Sequence, residues 1–381
     1  MNILYVLPYF NPKRGGDVNV CTNLARGFVA LGHNVTILTT DFELDKQYIQ
    51  SLRSSGIEVS YFKCSFHVGL FLYSPNMKKW LENNIKNFDV VHLHTFRAYQ
   101  NNIVTYYSKK FNVPYILQAH GSVLPFFQKQ GLKRIYDHVW GYKILDDSSK
   151  LIALTQTEYE QYKEMGAEES KIEILPNGID IREYQDIPER GEFRNKHSIK
   201  DYEKIILYLG RLNGSKGIEL LINAFYKLST ELTNVKLVIV GPDDGFLSYI
   251  KNLINDLEIR DKVLLTGPLY HKDKMEAYVD ADVFVTPRFS GFPVTFLESC
   301  ACKLPIITTK NGDDLNWIDG NVGFVTEYNE NSLKKAMLKL LLDDSLNEKF
   351  GLNGLKLIES KFNWEDIIKD LERLYKQIIY K

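Results

Sequence analysis

The chain has 381 residues, 44% of them hydrophobic and 25% charged, which is typical of a globular protein rather than a disordered or fibrous one. Lys and Arg number 47 against 48 Asp and Glu, so the net charge of −1 argues against a nucleic-acid binder that relies on overall charge. The length indicates two domains, since a single domain averages about 150 residues.

Three further absences from the sequence indicate a cytoplasmic protein. The four cysteines lack zinc-type spacing and are more typical of a reducing compartment than of a disulfide framework. The N-terminal segment 1–8 has no basic region and reads as a first strand, not as a signal peptide. No apolar run reaches the roughly 18 residues that a membrane span requires.

Short apolar runs alternate with helix-length segments along the whole chain. In the first half these runs are Ile3–Leu7, Asn34–Thr39, Glu58–Phe62, Val90–His94, Tyr115–Gln118 and Leu151–Leu154. Further along they are Ile172–Leu175, Ile205–Leu209, Lys236–Val240, Val263–Thr266, Val283–Thr286 and Ile306–Thr308. Many are apolar on both sides of the alternation, as parallel strands buried on two faces are. The pattern predicts an α/β fold with two doubly wound parallel sheets.

A turn-type cluster, Pro176-Asn177-Gly178-Ile179-Asp180, marks the predicted domain boundary. We therefore expect an N-terminal domain over 1–175 and a C-terminal domain over 176–362. The last segment, 363–381, carries apolar residues at helical spacing from Trp364 to Ile378 and predicts a long terminal helix.

Two sites in the first domain have the character of ligand loops. Gly15 and Gly16 follow the first strand, where backbone N–H groups can approach a phosphate or a substrate closely. His120 lies beside Gly121 just past a strand, a suitable place for ligand contact in a cleft. A tight turn and a structural histidine are the alternative interpretations. The glycines do not form GxGxxG, so a nicotinamide or flavin cofactor is unsupported.

The most informative stretch is 208–221, where a strand is followed by a glycine-rich loop and then by a helical pattern. Arg211 and Lys216 lie in this loop, where the strand ends and the helix begins. Open α/β sheets bind ligands at such places, and helix N-termini favour anions. The loop suits a diphosphate, although an ordinary solvated turn would contain the same residue types.

A second loop of this kind follows the strand Val283–Thr286. It contains Ser290, Gly291 and Phe292, and Val294 and Thr295 stand where the next helix begins. A diphosphate between this helix N-terminus and the Arg211/Lys216 loop would be held from two sides. Glu298, one turn into the helix, is placed to accept hydrogen bonds from ribose hydroxyls, or is an ordinary acidic residue near a helix start.

Two other features favour structural interpretations. The acidic pairs Asp243-Asp244 and Asp313-Asp314 lie with glycine in turns, where aspartate forms local hydrogen bonds more often than metal sites. The segment Val123–Ile135 mixes aromatic and basic residues and is compatible with an anionic bilayer surface, or with a helix packed on its own domain.

Taken in order, these motifs resemble glycosyltransferase family 4, the retaining glycosyl transferases of group 1. The resemblance covers nearly the whole chain and rests on Gly15-Gly16, Gly32-His33-Asn34-Val35, His92-Leu93-His94, His120-Gly121-Ser122, Pro176 to Asp180, Gly210 to Gly217 and Gly291 to Glu298. It implies the GT-B fold: two Rossmann-like domains, an interdomain cleft and a C-terminal helix that crosses back to the first domain.

The resemblance also implies roles for individual residues. Arg211 and Lys216 would hold the donor diphosphate and stabilise the departing nucleotide, and His120 would face the transferred sugar. Gly15 and Gly16 would lie near the phosphates and the acceptor. The amides of Val294 and Thr295 would contact phosphate, with Ser290, Gly291 and Phe292 in the same donor-binding loop, and Glu298 would contact the ribose.

The activity implied is that of a hexosyltransferase-type enzyme (EC 2.4) using a nucleotide-sugar, with a UDP-sugar favoured over a GDP-sugar. The acceptor would be a glycan or a lipid-linked saccharide, and neither a metal nor another cofactor would be needed. The implied location is the cytoplasm, with peripheral contact at the inner face of the cell membrane as an option.

One position departs from the family pattern. The family usually has a glutamate eight residues before Glu298, and this chain has Ser290 there. Serine reaches less far and supplies no negative charge beside a developing cation. Ser290 therefore keeps one alternative open, a non-catalytic nucleotide-sugar-binding subunit of another transferase. The two-sided phosphate site suggests another, a nucleotide-sugar epimerase on the same scaffold, although the order of the motifs argues against it.

Overall fold

The computed structural model describes residues 1–12, 16–125, 130–289, 292–310 and 315–380. The chain divides into two units. The first comprises Met1–Gly178 together with Trp364–Lys381, and the second comprises Ile179–Asn363.

The first unit is built on a seven-stranded parallel sheet. Its strands are β1 (Asn2–Val6), β2 (Asn34–Thr40), β3 (Ile57–Phe62), β6 (Val90–His94), β7 (Tyr115–Gln118), β8 (Lys150–Ala153) and β9 (Ile172–Ile174), and a separate antiparallel hairpin consists of β4 (Phe66–Val68) and β5 (Phe71–Tyr73). The helices are α1 (Gly16–Ala30), α2 (Lys46–Ser54), α3 (Pro75–Asn84), α4 (Tyr99–Phe111), α5 (Gln130–Tyr136), α6 (Tyr142–Asp147), α7 (Gln156–Glu164) and, from the end of the chain, α15 (Trp364–Ile379). The strand order β3-β2-β1-β6-β7-β8-β9 is that of a doubly wound sheet.

The second unit repeats this architecture with a six-stranded parallel sheet. Its strands are β10 (Lys204–Leu209), β11 (Val235–Val240), β12 (Val263–Gly267), β13 (Val283–Thr286), β14 (Ile306–Thr309) and β15 (Gly323–Thr326). Its helices are α8 (Glu192–Lys196), α9 (Ile218–Ser229), α10 (Leu247–Asp256), α11 (His271–Asp280), α12 (Val294–Ala301), α13 (Glu330–Leu342) and α14 (Asp344–Lys361). The order β12-β11-β10-β13-β14-β15 reverses direction between β10 and β13.

Each sheet is buried on both faces, and successive residues of a strand point to opposite faces and so pack in different cores. In β1, Tyr5 packs in one core of the first unit and Leu4 in the other. In β10, Tyr208 and Leu207 divide in the same way between the two cores of the second unit. This two-sided burial produces the apolar runs seen in the sequence.

The predicted strands and the terminal helix are confirmed. Helix α15 packs on α1, where Ile368 lies so close to Gly27 that a Cβ there would fall 2.0 Å from the Ile368 Cδ1 atom. The sequence did not predict the β4–β5 hairpin or β15. The first residue of β15 is Gly323, where a Cβ would lie 1.8 Å from the Ile306 carbonyl oxygen, and this glycine interrupts the apolar run. No helix among the described residues is long and apolar enough to cross a bilayer.

Candidate functional site

The strand order of the second sheet reverses between β10 and β13, and the carboxyl ends of these two strands mark that switch point. The two strands are hydrogen-bonded neighbours, with Ile206 opposite Val283. The chain continues from β10 to β11 on one side of this pair and from β13 to β14 on the other side. Ligands of open α/β sheets bind at this switch point, because the loops diverge there and leave a crevice. Arg211 and Lys216 follow β10, and the predicted donor-binding loop follows β13.

The loop after β10 is held in place by the loop after β11. Leu212 N donates to the Pro242 carbonyl at 2.9 Å, and Asp244 N donates to the Leu212 carbonyl at 3.1 Å. Gly241 is required here because a Cβ would lie 1.8 Å from the Gly210 carbonyl oxygen. The Arg211 guanidinium, largely exposed, donates to the Asp244 carboxylate at 3.2 Å. Arg211 is therefore presented from a fixed backbone with its charge at the surface.

Lys216 is half-buried at the end of the same loop. Burial lowers the pKa of its ammonium group and the nearby Arg211 charge lowers that pKa further, while the Asp244 carboxylate acts in the opposite direction. Within the described part of the chain its ammonium group has no ion-pair partner. A half-buried lysine without a direct ion pair is well suited to receive an anionic ligand.

Two helix N-termini meet this edge of the sheet. Helix α9 begins after Gly217, whose φ of 72° is left-handed, and α12 begins after Pro293. Neither residue has a side-chain oxygen to accept the first N–H groups of the helix, whereas Asn329 and Asp343 cap α13 and α14 in that way. The first-turn amides of both helices, including those of Val294 and Thr295, are thus of the kind that binds anions.

The two loops are in direct contact. A Cβ at Gly217 would lie 3.0 Å from Pro287 Cβ and 3.2 Å from the Tyr328 hydroxyl. The Arg288 guanidinium lies 5.3 Å from the centre of the Tyr328 ring, a cation–π contact. Arg288 therefore adds a third cation beside the loop that carries Lys216.

Glu298 is fixed by two residues that sequence reasoning did not single out. Lys274 Nζ lies 2.7 Å from Glu298 Oε1, and the Tyr278 hydroxyl donates to Oε2 at 3.0 Å. Both partners lie on α11, one turn apart, and the Glu298 side chain is mostly buried. Each carboxylate oxygen retains acceptor capacity, so Glu298 is presented in one orientation as a hydrogen-bond acceptor.

The remaining residues of this loop contribute differently. The Phe292 ring packs 5.4 Å from Phe362 and 6.2 Å from Trp317, measured between ring centres, so its side chain belongs to an aromatic cluster. Ser290 and Gly291 lie outside the described residues. The Asp243 carboxylate accepts hydrogen bonds from the amides of residues 245–247 at the start of α10, which is the local role expected of a turn aspartate. Asp313 and Asp314 are not among the described residues.

Gly16 and His120 lie in the first unit, at the corresponding edge of its sheet. Gly16 begins α1, and a Cβ there would meet nothing within 4 Å. The Asp17 carboxylate accepts from the Tyr9 hydroxyl at 2.7 Å and raises the pKa of His120, against the larger effect of burial. Gly15 lies outside the described residues.

His120 ends a series of three stacked imidazoles. His92 and His94 stack at 4.1 Å and His94 and His120 at 5.2 Å, measured between ring centres. His94 Nδ1 lies 3.0 Å from His120 Nε2, and His92 Nδ1 lies 2.7 Å from the hydroxyl of Tyr375 on α15. Burial lowers the pKa of His120 to about 4 and those of His92 and His94 well below the usual value. All three rings are therefore neutral near pH 7.

This arrangement favours one tautomer of His120. Since His94 Nε2 is buried without a partner among the described residues, a proton there would be an unsatisfied donor. We therefore assign the proton of His94 to Nδ1, which donates to His120 Nε2 and leaves the His120 proton on Nδ1. His120 is then a neutral hydrogen-bond donor at its other nitrogen.

Two buried charged residues hold the loop around His120. The Glu158 carboxylate accepts from Gly121 N and Leu154 N, both at 2.7 Å. The Arg97 guanidinium pairs with Asp137 at 2.7 Å and also donates to the carbonyls of Ser122 and Val123. His120 has a left-handed φ of 52°, which these contacts stabilise. Neither Arg97 nor Glu158 stands in a recognisable motif, so sequence reasoning missed both.

No cluster of three His, Cys, Asp or Glu side chains within the described ranges is arranged to hold a metal ion. The charged groups at the β10–β13 edge include the cations Arg211, Lys216 and Arg288, together with the Asp244 carboxylate that pairs with Arg211. Chemically, the second unit offers a site for a ligand with at least two negative charges, and Glu298 offers a fixed acceptor for hydroxyl groups.

Comparison with known proteins assigns both units. Residues 14–183 match the family model Glycosyltransferase Family 4, and residues 189–357 match the model Glycosyl transferases group 1. A glycosyltransferase of Methanocaldococcus jannaschii is 27% identical and covers 99% of this chain and 98% of its own length.

A second relative shares about half of its length with this chain. It is the N-acetylgalactosamine-N,N'-diacetylbacillosaminyl-diphospho-undecaprenol 4-alpha-N-acetylgalactosaminyltransferase of Campylobacter jejuni, 35% identical over 52% of each chain. Among solved structures, HepE of Anabaena covers 99% of this chain and 100% of its own, with a TM-score of 0.81 in complex with UDP and 0.80 in complex with UDP-glucose. At 16% and 17% identity these two structures establish the shared fold.

Proposed function

The chain belongs to the family 4, group 1 glycosyltransferases and has their GT-B architecture, and from this premise we propose that it is a retaining, metal-independent transferase that uses a nucleotide-sugar donor. The acceptor in this proposal is a hydroxyl group of a glycan or of a lipid-linked saccharide.

The observation that carries the proposal is the cationic edge of β10 and β13. Two helix N-termini without side-chain caps meet there beside Arg211 and the half-buried Lys216. A diphosphate fits this set because each cation and each N-terminus favours negative charge, and several act on one group. An ordinary surface turn gives no reason for a half-buried lysine that forms no direct ion pair with a described residue.

In the proposed reaction, the bond between the sugar C1 atom and the diphosphate oxygen breaks and the nucleoside diphosphate leaves with its electron pair. The acceptor oxygen then bonds to C1 from the same face, and the acceptor proton departs with the diphosphate or to solvent. Arg211 and Lys216 stabilise the charge that develops on the leaving group, which is usually the largest contribution of such a site. Their charges do the work that a metal ion performs elsewhere.

The other predicted residues act by positioning. Glu298, oriented by Lys274 and Tyr278, accepts hydrogen bonds from the ribose hydroxyls. The amides of Val294 and Thr295 donate to phosphate oxygens at the start of α12. His120, neutral because its pKa lies at about 4, donates a hydrogen bond to a hydroxyl of the transferred sugar.

The relatives guide the choice of substrates. The UDP and UDP-glucose held by HepE support UDP-sugars as the first donors to test, with GDP-sugars second. The Campylobacter relative acts, by its name, on a saccharide linked to undecaprenol diphosphate, which supports an acceptor of that chemistry. In this proposal the enzyme acts in the cytoplasm, at the inner face of the cell membrane.

The test is a transfer assay with a panel of UDP- and GDP-sugars and saccharide acceptors, with and without EDTA. We expect equal amounts of nucleoside diphosphate and glycosylated product, an α product from an α donor by NMR, and no effect of EDTA. Arg211→Met removes the proposed contact, and Arg260→Met is its control because Arg260 begins the turn before β12. Tight nucleotide binding without any turnover, or an epimerised sugar without acceptor, would contradict the proposal.

A further inference from the structure

The two ring nitrogens of His120 have different surroundings. Its Nε2 atom lies 3.0 Å from His94 Nδ1. Its Nδ1 atom has no hydrogen-bond partner among the residues that the structure describes, and the residue is partly exposed. His94, by contrast, is completely buried. Nδ1 is therefore the nitrogen through which His120 can contact a ligand.

The backbone around His120 fixes where its ring lies. The residue has a left-handed φ of 52°. The Glu158 carboxylate accepts a hydrogen bond from the next amide, Gly121 N. The Arg97 guanidinium donates to the Ser122 carbonyl. Because both contacts are made to backbone atoms, they set the position of the imidazole but not the nitrogen that carries its proton.

His94 is itself held in one orientation. Its ring stacks on that of His92 at 4.1 Å and meets the Tyr5 ring edge-on at 5.1 Å, measured between ring centres. It is the last residue of β6, which pairs with β1 on one side and with β7 on the other. A ring packed in this way keeps Nδ1 directed at His120 and Nε2 in the core.

We propose that His94 is a positioning residue that makes His120 a hydrogen-bond donor toward the substrate. A proton on His94 Nε2 would be buried without an acceptor among the described residues, so His94 holds its proton on Nδ1 and donates it to His120 Nε2. Since that nitrogen then acts as an acceptor, the proton of neutral His120 is confined to Nδ1. His94 acts through His120 and does not touch the substrate.

The tautomer of His120 decides which ligand groups it can bind. A ring N–H binds an oxygen that offers a lone pair, whereas an unprotonated ring nitrogen requires a donor from the ligand. A sugar hydroxyl that accepts from His120 keeps its own hydrogen for a second partner. The use of His120 in sugar transfer rests on the proposed function. Its tautomer does not, because residues of the first unit set it before any substrate binds.

The test compares two substitutions of His94 with opposite consequences. His94→Asn loses the ring but places an amide N–H at the δ position, from which it can donate to His120 Nε2. His94→Phe keeps a ring that can stack but has no donor. We expect kcat/KM to fall at least about fivefold in His94→Phe and to stay within about twofold of the wild type in His94→Asn, because one hydrogen bond between neutral groups is lost in the first variant and kept in the second. The reverse order would show that His94 acts by packing and would overturn the proposal.

The position of the proton is measured by NMR of the full chain with isotope-labelled histidine nitrogens, without donor or acceptor. The signals of His120 are assigned by their loss in His120→Gln. We expect protonated Nδ1 and unprotonated Nε2 on His120 in the wild type and in His94→Asn, and a mixture of both tautomers in His94→Phe. A wild-type His120 with its proton on Nε2, or an unchanged tautomer in His94→Phe, would also overturn the proposal.

The matched control makes the same two changes at His92. This residue is as deeply buried as His94, but its Nδ1 atom bonds to the Tyr375 hydroxyl rather than to His120. His92→Phe and His92→Asn should keep the His120 proton on Nδ1 and change kcat/KM less than about twofold, while urea denaturation reports their stability separately. An equal loss of kcat/KM at His92 and His94 would assign the effect to packing. A wild type without any sugar transfer would refute the proposed function instead, and the NMR measurement would still decide the tautomer.

Discussion

Lys216→Met should separate turnover from stability. Methionine keeps most of the length and apolar bulk of the lysine side chain but removes its charge. Lys216 is half-buried and has no ion-pair partner among the described residues, so its charge contributes little to the fold. In the proposed function the same charge contacts the diphosphate. One substitution should therefore lower activity while leaving the folded protein as stable as before.

The expected size follows from the contact that is lost. A hydrogen bond to a charged group contributes about 1.5–3 kcal/mol, which corresponds to a loss of roughly 10- to 150-fold in kcat/KM. Because burial already lowers the pKa of Lys216, its charged form is disfavoured in the folded state without ligand. The free energy of unfolding should consequently stay unchanged or rise slightly, as measured by urea denaturation.

The control for this comparison is Lys227→Met. Lys227 also lies in the second unit, but it pairs with Glu330 at 2.7 Å on the surface and is far along α9 from its N-terminus. Exposed pairs of this kind contribute about 0–1 kcal/mol, so activity should not change. If Lys216→Met retained kcat/KM within about twofold of the wild type, the assignment of the diphosphate to this loop would be refuted.

Two more predictions concern residues that orient the site. Lys274→Met should raise the KM for the donor several-fold and lower the free energy of unfolding by about 2 kcal/mol, because Glu298 loses its partly buried partner. Lys274→Arg should restore most of the donor affinity and most of the stability. The control is Lys272→Met, at an exposed neighbouring position on α11. An unchanged KM in Lys274→Met would show that Glu298 does not contact the donor. The histidine series should make stability depend on pH: the unfolded chain binds protons near pH 6.5 and folded His120 only near 4, so the free energy of unfolding should fall as the pH is lowered through this window. His120→Gln should reduce that slope in urea titrations between pH 5 and 7, and an identical slope would contradict the low pKa.

Much of the fold could be predicted because burial on two faces leaves a mark on the sequence. Val90–His94 and Val283–Thr286 are strands in which every residue is buried, and such runs are easily recognised. The hairpin β4–β5 could not be predicted in the same way, because Phe66–Val68 is exposed throughout and gives no apolar periodicity. Strand β15 was missed for a different reason: glycine is depleted in strands, and Gly323 interrupts the apolar run from which the strand could have been recognised.

The site shows the same division between local and distant signals. Arg211 and Lys216 could be proposed because a glycine-rich loop between a strand and a helix is visible in the sequence. Lys274 and Glu158 could not, since Lys274 contacts Glu298 of α12, 24 residues away along the chain, and Glu158 contacts the loop at Gly121, 37 residues away. Contacts of that kind depend on which helices lie side by side, and sequence periodicity does not specify this.

The central claim is that the β10–β13 edge binds a nucleoside diphosphate without a metal ion. Isothermal titration calorimetry of the wild type with UDP, GDP, ADP and TDP, with and without EDTA, measures this directly. The account predicts that one nucleotide binds, that EDTA leaves its Kd unchanged and that Lys216→Met weakens it at least about tenfold. Binding that disappears with EDTA, or no binding by any of the four, would contradict it.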